Sequence, residues 1–119
     1  MLPIQSRLKK KKDFEKVFKK GKGFKEDFLF LKIVPNNQEV SRFGFIVSRK
    51  VSKKAIVRNK IKRRLRELVR VTLSQIKPGV DGVIVVLPDF NDRNLEETKQ
   101  TINRLFEKAK IYKTLKNNR

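Results

Sequence analysis

Residues 49–70 read RKVSKKAIVRNKIKRRLRELVR, a segment with eleven Lys or Arg and one acid, Glu67. In under a fifth of the 119 residues it carries +10 of the chain's formal +20. At about 100° per residue, Val57, Ile61, Leu65, Leu68, Val71 and Thr72 gather into one stripe. Arg58, Asn59, Lys62, Arg63, Arg66 and Arg70 gather opposite it. The spacing predicts a helix over residues 55–74 that lays an apolar stripe on a core and turns a cationic face outward. Mixed signs would serve solubility with less self-repulsion. Instead Arg58, Lys62, Arg66 and Arg70 repeat at i, i+4, which costs an isolated helix a few tenths of a kcal/mol per pair. Tolerance of that repulsion points to a polyanion partner, most often a nucleic-acid backbone. Arg predominates on this face, and its planar fork suits phosphate oxygens. Asn59 both donates and accepts, so it either reads a base edge or ribose hydroxyl or braces a neighbour.

Outward from this helix the chain divides into short, well-marked elements. A helix over 11–20 places Phe14, Val17 and Phe18 on one face, with Gly21 and Gly23 to stop it. Residues 27–34 read as a strand closed by Pro35-Asn36-Asn37, and residues 41–49 as a second strand with Phe43, Phe45 and Val47 alternating. Their short connection predicts an antiparallel pair. After Pro78-Gly79, residues 80–87 (VDGVIVVL) form an apolar run expected of a strand covered on both faces. A last helix is predicted over 94–112, with Asn94 and Glu97 as a capping box and Leu95, Ile102, Leu105, Phe106 and Ala109 as its stripe. The order α-β-β-α-β-α describes an α+β fold, a small sheet with helices packed on it, in one domain over residues 1–119. Residues 1–10 are expected to be a mobile basic arm in the absence of a partner, because RLKKKK repels itself. The KNNR end is expected to fray.

Composition removes whole classes of chemistry. With no Cys and no His, there is no disulfide scaffold, no Cys or His zinc site, no thiol nucleophile and no imidazole acid–base catalyst. The acids are scattered and no carboxylate pair stands out, so neither catalytic residues nor metal ligands are singled out. No apolar run approaches the ~18 residues of a membrane span, and the start lacks a signal peptide's apolar block. A cytoplasmic protein with no membrane partner is expected. Charge is concentrated in two blocks, +8 over residues 1–25 and +10 over residues 49–70, against −1 over 26–48 and +3 over 71–119. If the fold brings these blocks together they form one positive surface. On the first strand Leu29, Leu31 and Ile33 make an aliphatic side, and Phe28, Phe30 and Lys32 an aromatic and basic one. That second side either stacks unpaired nucleotides or is buried beneath the first helix with Phe14 and Phe18.

The run Ser52-x-x-Ala55-x-x-Arg58-Asn59-Lys60-Ile61-Lys62-Arg63-x-Leu65-Arg66 closely resembles the signature of the bacterial ribonuclease P protein subunit. Arg7-Leu8-Lys9-Lys10 with Asp13-Phe14, Val17-Phe18 and Gly21 is similar to that family's opening helix. Arg42-x-Gly44 through Ser48-Arg49-Lys50 is similar to its central strand, and Asp81-x-Val83 through Pro88 to its third. The resemblance implies an α-β-β-β-α-β-α order with a left-handed β-α-β crossover, where general rules favour the right hand. It also implies a protein that joins a catalytic RNA and the 5′ leader of precursor tRNA, and assists removal of that leader to leave the mature 5′ end. Mg2+ held mainly by the RNA would do the chemistry, and the protein alone would cleave nothing. DNA is not an expected partner. By the resemblance Arg58, Asn59, Lys60, Lys62, Arg63 and Arg66 face the catalytic RNA, and Arg49, Lys50, Lys53 and Lys54 beside them are expected to bind RNA as well. Phe14 and Phe18 line the leader cleft, with Phe28, Phe30 and Lys32 as neighbours. Where many relatives have Gly before the motif helix, this chain has Ser52-Lys53-Lys54. A non-catalytic, ribosomal-type RNA-binding protein is the alternative with the same size and composition.

Overall fold

The computed structural model describes residues 2–90 and 93–113; Met1 and the KNNR end, expected to fray, lie outside them. Helix α1 spans Lys11–Lys20, strand β1 Lys22–Glu26, β2 Leu29–Pro35, β3 Arg42–Val47, helix α2 Ala55–Thr72, β4 Val80–Val86 and helix α3 Leu95–Ala109. The order has one strand more than hydrophobic alternation predicted, and is the order implied by the resemblance. Strand β1, KGFKE, has no apolar alternation to announce it. It forms because Gly21 ends α1, its N–H donating to the Val17 carbonyl at 2.7 Å, and a two-residue turn then joins Glu26 to Leu29. Gly23 lies inside β1, not at the helix stop.

The strands run β1-β2-β4-β3 across the sheet. The expected antiparallel pairing of the second and third strands does not form. Strand β4 lies between them, antiparallel to β2 and parallel to β3. A strand apolar on both faces gains most in the middle of a sheet, where both faces are covered and both edges hydrogen-bonded. The connection over residues 36–41 is no tight hairpin: Asn37 has φ 58°, and the Asn36 amide donates to the Val40 carbonyl at 3.1 Å. The β3–α2–β4 unit joins adjacent parallel strands, and it is this unit to which the resemblance assigns the left hand.

One face of the sheet carries the main core. Leu29, Leu31, Phe43, Phe45, Ile84 and Val86 pack there against Ile61, Leu65, Leu68 and Val69 of α2 and Ile102, Leu105 and Phe106 of α3. Helix α2 turns slightly from the predicted stripe: Val69 is buried and Val71 half exposed. The two valines sit about 80° to either side of Ile61 on the wheel, so only the placement of the sheet decides between them. Helix α3 begins with the predicted capping box, Asn94 Oδ1 accepting from the Glu97 N–H at 2.8 Å. It ends at Ala109 rather than 112, because Lys110 adopts φ 59°. Tyr112 then bridges to Ile76 and its hydroxyl donates to Asn103 Oδ1 at 2.6 Å.

Burial, and secondarily Glu107, pushes the Tyr112 phenol up to about 12. The unfolded chain ionises this group near pH ~10, so the folded state is favoured by it below that pH. The contribution is lost as pH rises from about 10 toward 12. Chemical denaturation of the protein against a Tyr112→Phe variant is expected to give a stability difference that shrinks across this window; a flat difference would contradict it.

The arm expected to be mobile is docked over residues 2–8. Leu2 and Leu8 are buried, Ile4–Ser6 form a 3-10 turn, and Arg7 pairs in parallel with Phe43 on the free edge of β3. The Leu8 N–H donates to the Phe43 carbonyl at 2.9 Å. Two leucines thus anchor the segment while Lys9 and Lys10 stay exposed.

Candidate nucleic-acid interface

Helix α1 packs on the other face of the sheet and covers only part of it. Val17 is fully buried against Val83, and the Phe14 ring lies directly on β3, where a Cβ on Gly44 would stand 2.4 Å from Phe14 Cζ. The helix is tied down by charge. Asp81, buried on β4, accepts from Arg42 Nε at 2.9 Å, Arg42 Nη2 at 2.6 Å and Asn36 Nδ2 at 2.8 Å. Arg42 also reaches Asp13 of α1 at 3.6 Å, and the Asp81 carboxylate pushes the Arg42 guanidinium above its ordinary value. Asp81→Ala removes the buried carboxylate that Arg42 and Asn36 share, leaving Arg42 only the longer pair with Asp13, and is expected to cost about 3 kcal/mol. Urea denaturation measures this; a cost below about 1 kcal/mol, the size of an exposed pair, would refute the clamp.

Beside α1 a strip of the sheet stays half open. Register sets Phe30, Val85 and Ile46 side by side across β2, β4 and β3, and all three are half-buried. Phe18 is 37% exposed at the neighbouring end of α1, where its carbonyl accepts from Lys32 Nζ at 2.7 Å. The strip is apolar, flanked by a cation, and accessible: chemistry suited to unstacked bases.

Of the residues expected to line a leader cleft, the structure brings Phe14, Phe18, Phe30 and Lys32 to this face. Phe28 is not among them. It belongs to the β1–β2 turn rather than to a strand, so alternation with Phe30 does not apply. Its ring is 1% exposed, edge-on to Phe90 at 5.4 Å, with the Arg93 guanidinium 4.9 Å over it. Ile46 and Val85 were missed: the first lay in a strand read for the face of Phe43, Phe45 and Val47, the second in a run read as covered on both faces.

The cations of α2 divide between two flanks. Lys62 and Arg66 line one cleft with Arg7, Lys9, Phe14 and Gly44, so the two basic blocks of the sequence do meet, with the edge of β3 between them. Arg7 and Lys9 were noted as charge but not as site residues. Lys60, Arg63 and Arg64 face a second groove, toward α3; Arg64 escaped notice because it borders the apolar stripe. Arg58 is turned back, Nη1 donating to the Ser52 carbonyl at 2.9 Å. It braces the loop carrying Arg49, Lys50, Lys53 and Lys54, all exposed, whose turns Ser48 and Ser52 close through their hydroxyls. Asn59 is exposed on the outer face. On α3, by contrast, Arg104 and Lys108 pair with Glu26 at 3.1 and 2.9 Å. Among the described residues, none of Lys60, Lys62, Arg63, Arg64 or Arg66 forms an ion pair. No His, Cys, Asp or Glu cluster that could hold a metal occurs among the described residues, and none of their helices is long and apolar enough to cross a membrane.

Fold and site together define a small, strongly basic α+β protein whose central helix carries uncompensated cations on two flanks. The chain belongs to the ribonuclease P protein family, whose sequence model, described as Ribonuclease P, matches residues 2–110. It is 42% identical over 111 residues to the Ribonuclease P protein component of Synechocystis, spanning 92% of this chain and 90% of that protein. The Pseudanabaena counterpart is 40% identical over 112 residues, spanning 93% and 97%. The Staphylococcus aureus RNase P protein has a similar fold, with TM-score 0.83 and 28% identity over 91% of this chain and 98% of that one. The Thermotoga maritima RNase P protein gives 0.77 and 29% over 86% and 96%. Members of this family are the protein subunit of a ribonucleoprotein endoribonuclease and act with the RNase P RNA.

Proposed function

We propose that this chain binds the catalytic RNase P RNA through α2 and the 48–54 loop, and receives the 5′ leader of precursor tRNA on the strip beside α1. The observation that carries the reading is the meeting of α2's unpaired cations with Arg7 and Lys9, next to that strip. Lys62, Arg66 and the loop cations neutralise phosphates of the RNA. Phe14, Phe18, Phe30, Ile46 and Val85 offer an apolar bed to unpaired leader nucleotides, and Lys32 holds their backbone. Mg2+ is assigned to the RNA. The protein's part is to position substrate and to screen charge between two polyanions, and no side chain here is given a catalytic role.

The test is precursor tRNA cleavage by the cognate RNase P RNA at low Mg2+, with and without the protein. Stimulation that depends on leader length supports the proposal. Absence of stimulation at every Mg2+ concentration would leave a basic RNA-binding protein of ribosomal type.

A further inference from the structure

The groove between α2 and the start of α3 lies apart from the strip beside α1 and from the β3 edge. Its floor is Leu68, Val71 and Leu95. Val71 and Leu95 are 50% and 53% exposed, two large apolar side chains left open to water within one groove. Lys60, Arg63, Arg64 and Lys99 stand around them. Two carboxylates share the rim. Glu67 is engaged with Arg70 Nε at 2.9 Å, and Glu96 with the Gln100 amide at 3.4 Å.

Four cations around an apolar floor favour an occupant that is anionic outside and flat and apolar inside. The groove, about 650 Å³, is of the size that encloses one small molecule, ~300–1,000 Å³. It adjoins the other flank of α2, because Lys60 and Arg63 neighbour Lys62 in sequence on the same helix. We propose that it seats one extruded, unpaired nucleotide of the RNase P RNA, the base on Val71 and Leu95 and its flanking phosphates on Lys60, Arg63, Arg64 and Lys99. This rests on the RNA-binding reading above and names a subsite within it. Burial of one base against these side chains adds a contact to the base itself, which phosphate contacts alone do not supply. A protein partner would need an acidic, leucine-bearing peptide, and is the competing occupant.

The test places a photoreactive benzophenone amino acid at position 95 in the reconstituted holoenzyme and maps the adduct on the RNA. The expected result is one adduct, at an unpaired nucleotide. Removing that base (an abasic substitution) should weaken binding of the unaltered protein by about tenfold, the worth of one small buried apolar contact. A Val71→Ala/Leu95→Ala protein, altered only at half-exposed positions, should be weakened to a similar extent and lose nothing more on the abasic RNA. Adducts spread over paired RNA, no adduct, or additive losses would overturn the inference, as would an adduct in cells to an acidic protein in place of RNA. If the holoenzyme is still stimulated when this happens, only the subsite fails. If stimulation is absent too, the RNA-binding reading fails with it.

Discussion

Lys62→Ala, Arg63→Ala and Arg66→Ala combined are expected to weaken association with the cognate RNase P RNA by about 100-fold at 0.15 M salt. A hydrogen bond to a charged group contributes ~1.5–3 kcal/mol when sheltered. These side chains are partly hydrated, so about 1 kcal/mol each is the reasonable figure, and three give roughly two powers of ten. Direction of salt dependence separates this from misfolding. Each lost phosphate contact lowers the slope of log K against log salt by about 0.9, so the triple variant should lose between two and three units. Its stability should be unchanged or slightly raised, because none of the three forms an ion pair among the described residues and like-charge repulsion along the helix is relieved. An unchanged salt slope, measured by filter binding from 0.1 to 0.5 M salt, would mean that this face does not meet RNA.

Phe28→Ala and Phe30→Ala, two residues apart, are expected to fail in opposite ways. Phe28 is buried, packed on Phe90 and covered by Arg93, so its truncation opens a cavity and should cost about 4 kcal/mol in urea denaturation. Phe30 is half-buried on the open strip, so truncation should cost about 1 kcal/mol or less in stability. Its loss should instead fall on recognition. Affinity for precursor tRNA carrying a leader should drop by about tenfold, as expected of one lost stacking contact, with mature tRNA unaffected. Equal losses for tRNA with and without a leader would remove Phe30 from the leader site. A Phe28→Ala protein of normal stability would refute its place in the core.

The two phenylalanines also mark where sequence reading reached its limit. Helices α1 and α2 were legible because their periodicity is strong, and the capping box located the start of α3 but not its end. Strand partners were not legible. Alternation in β2 and β3 says which side chains share a face, but nothing in either strand says that β4, thirty residues further on, will insert between them. Phe28 was misplaced because two residues of turn, with Asp27 at φ 51°, break the alternation that seemed to link it to Phe30. Docking of residues 2–8 was hidden by composition: the lysines dominate the count, while Leu2 and Leu8 make the contacts. For the interface the charge blocks were plain in the sequence, but their division into two flanks of α2 depends on where α3 lies.

The position of β4 bears on how the protein is made. A ribosome releases the chain from its N-terminus, so β2, β3 and all of α2 emerge before the strand that joins them. Until residues 80–86 are out, the sheet lacks its middle and the apolar stripe of α2 has only part of its bed, Phe43 and Phe45 of β3. The nascent chain therefore displays its most cationic segment, unsheltered, at the surface of a particle built largely of RNA. Completion of β4 is the moment at which that segment is given a rigid seat on the sheet. Pausing of translation between residues 70 and 80 is accordingly expected to prolong adhesion to the ribosome, and release from it reports formation of the sheet.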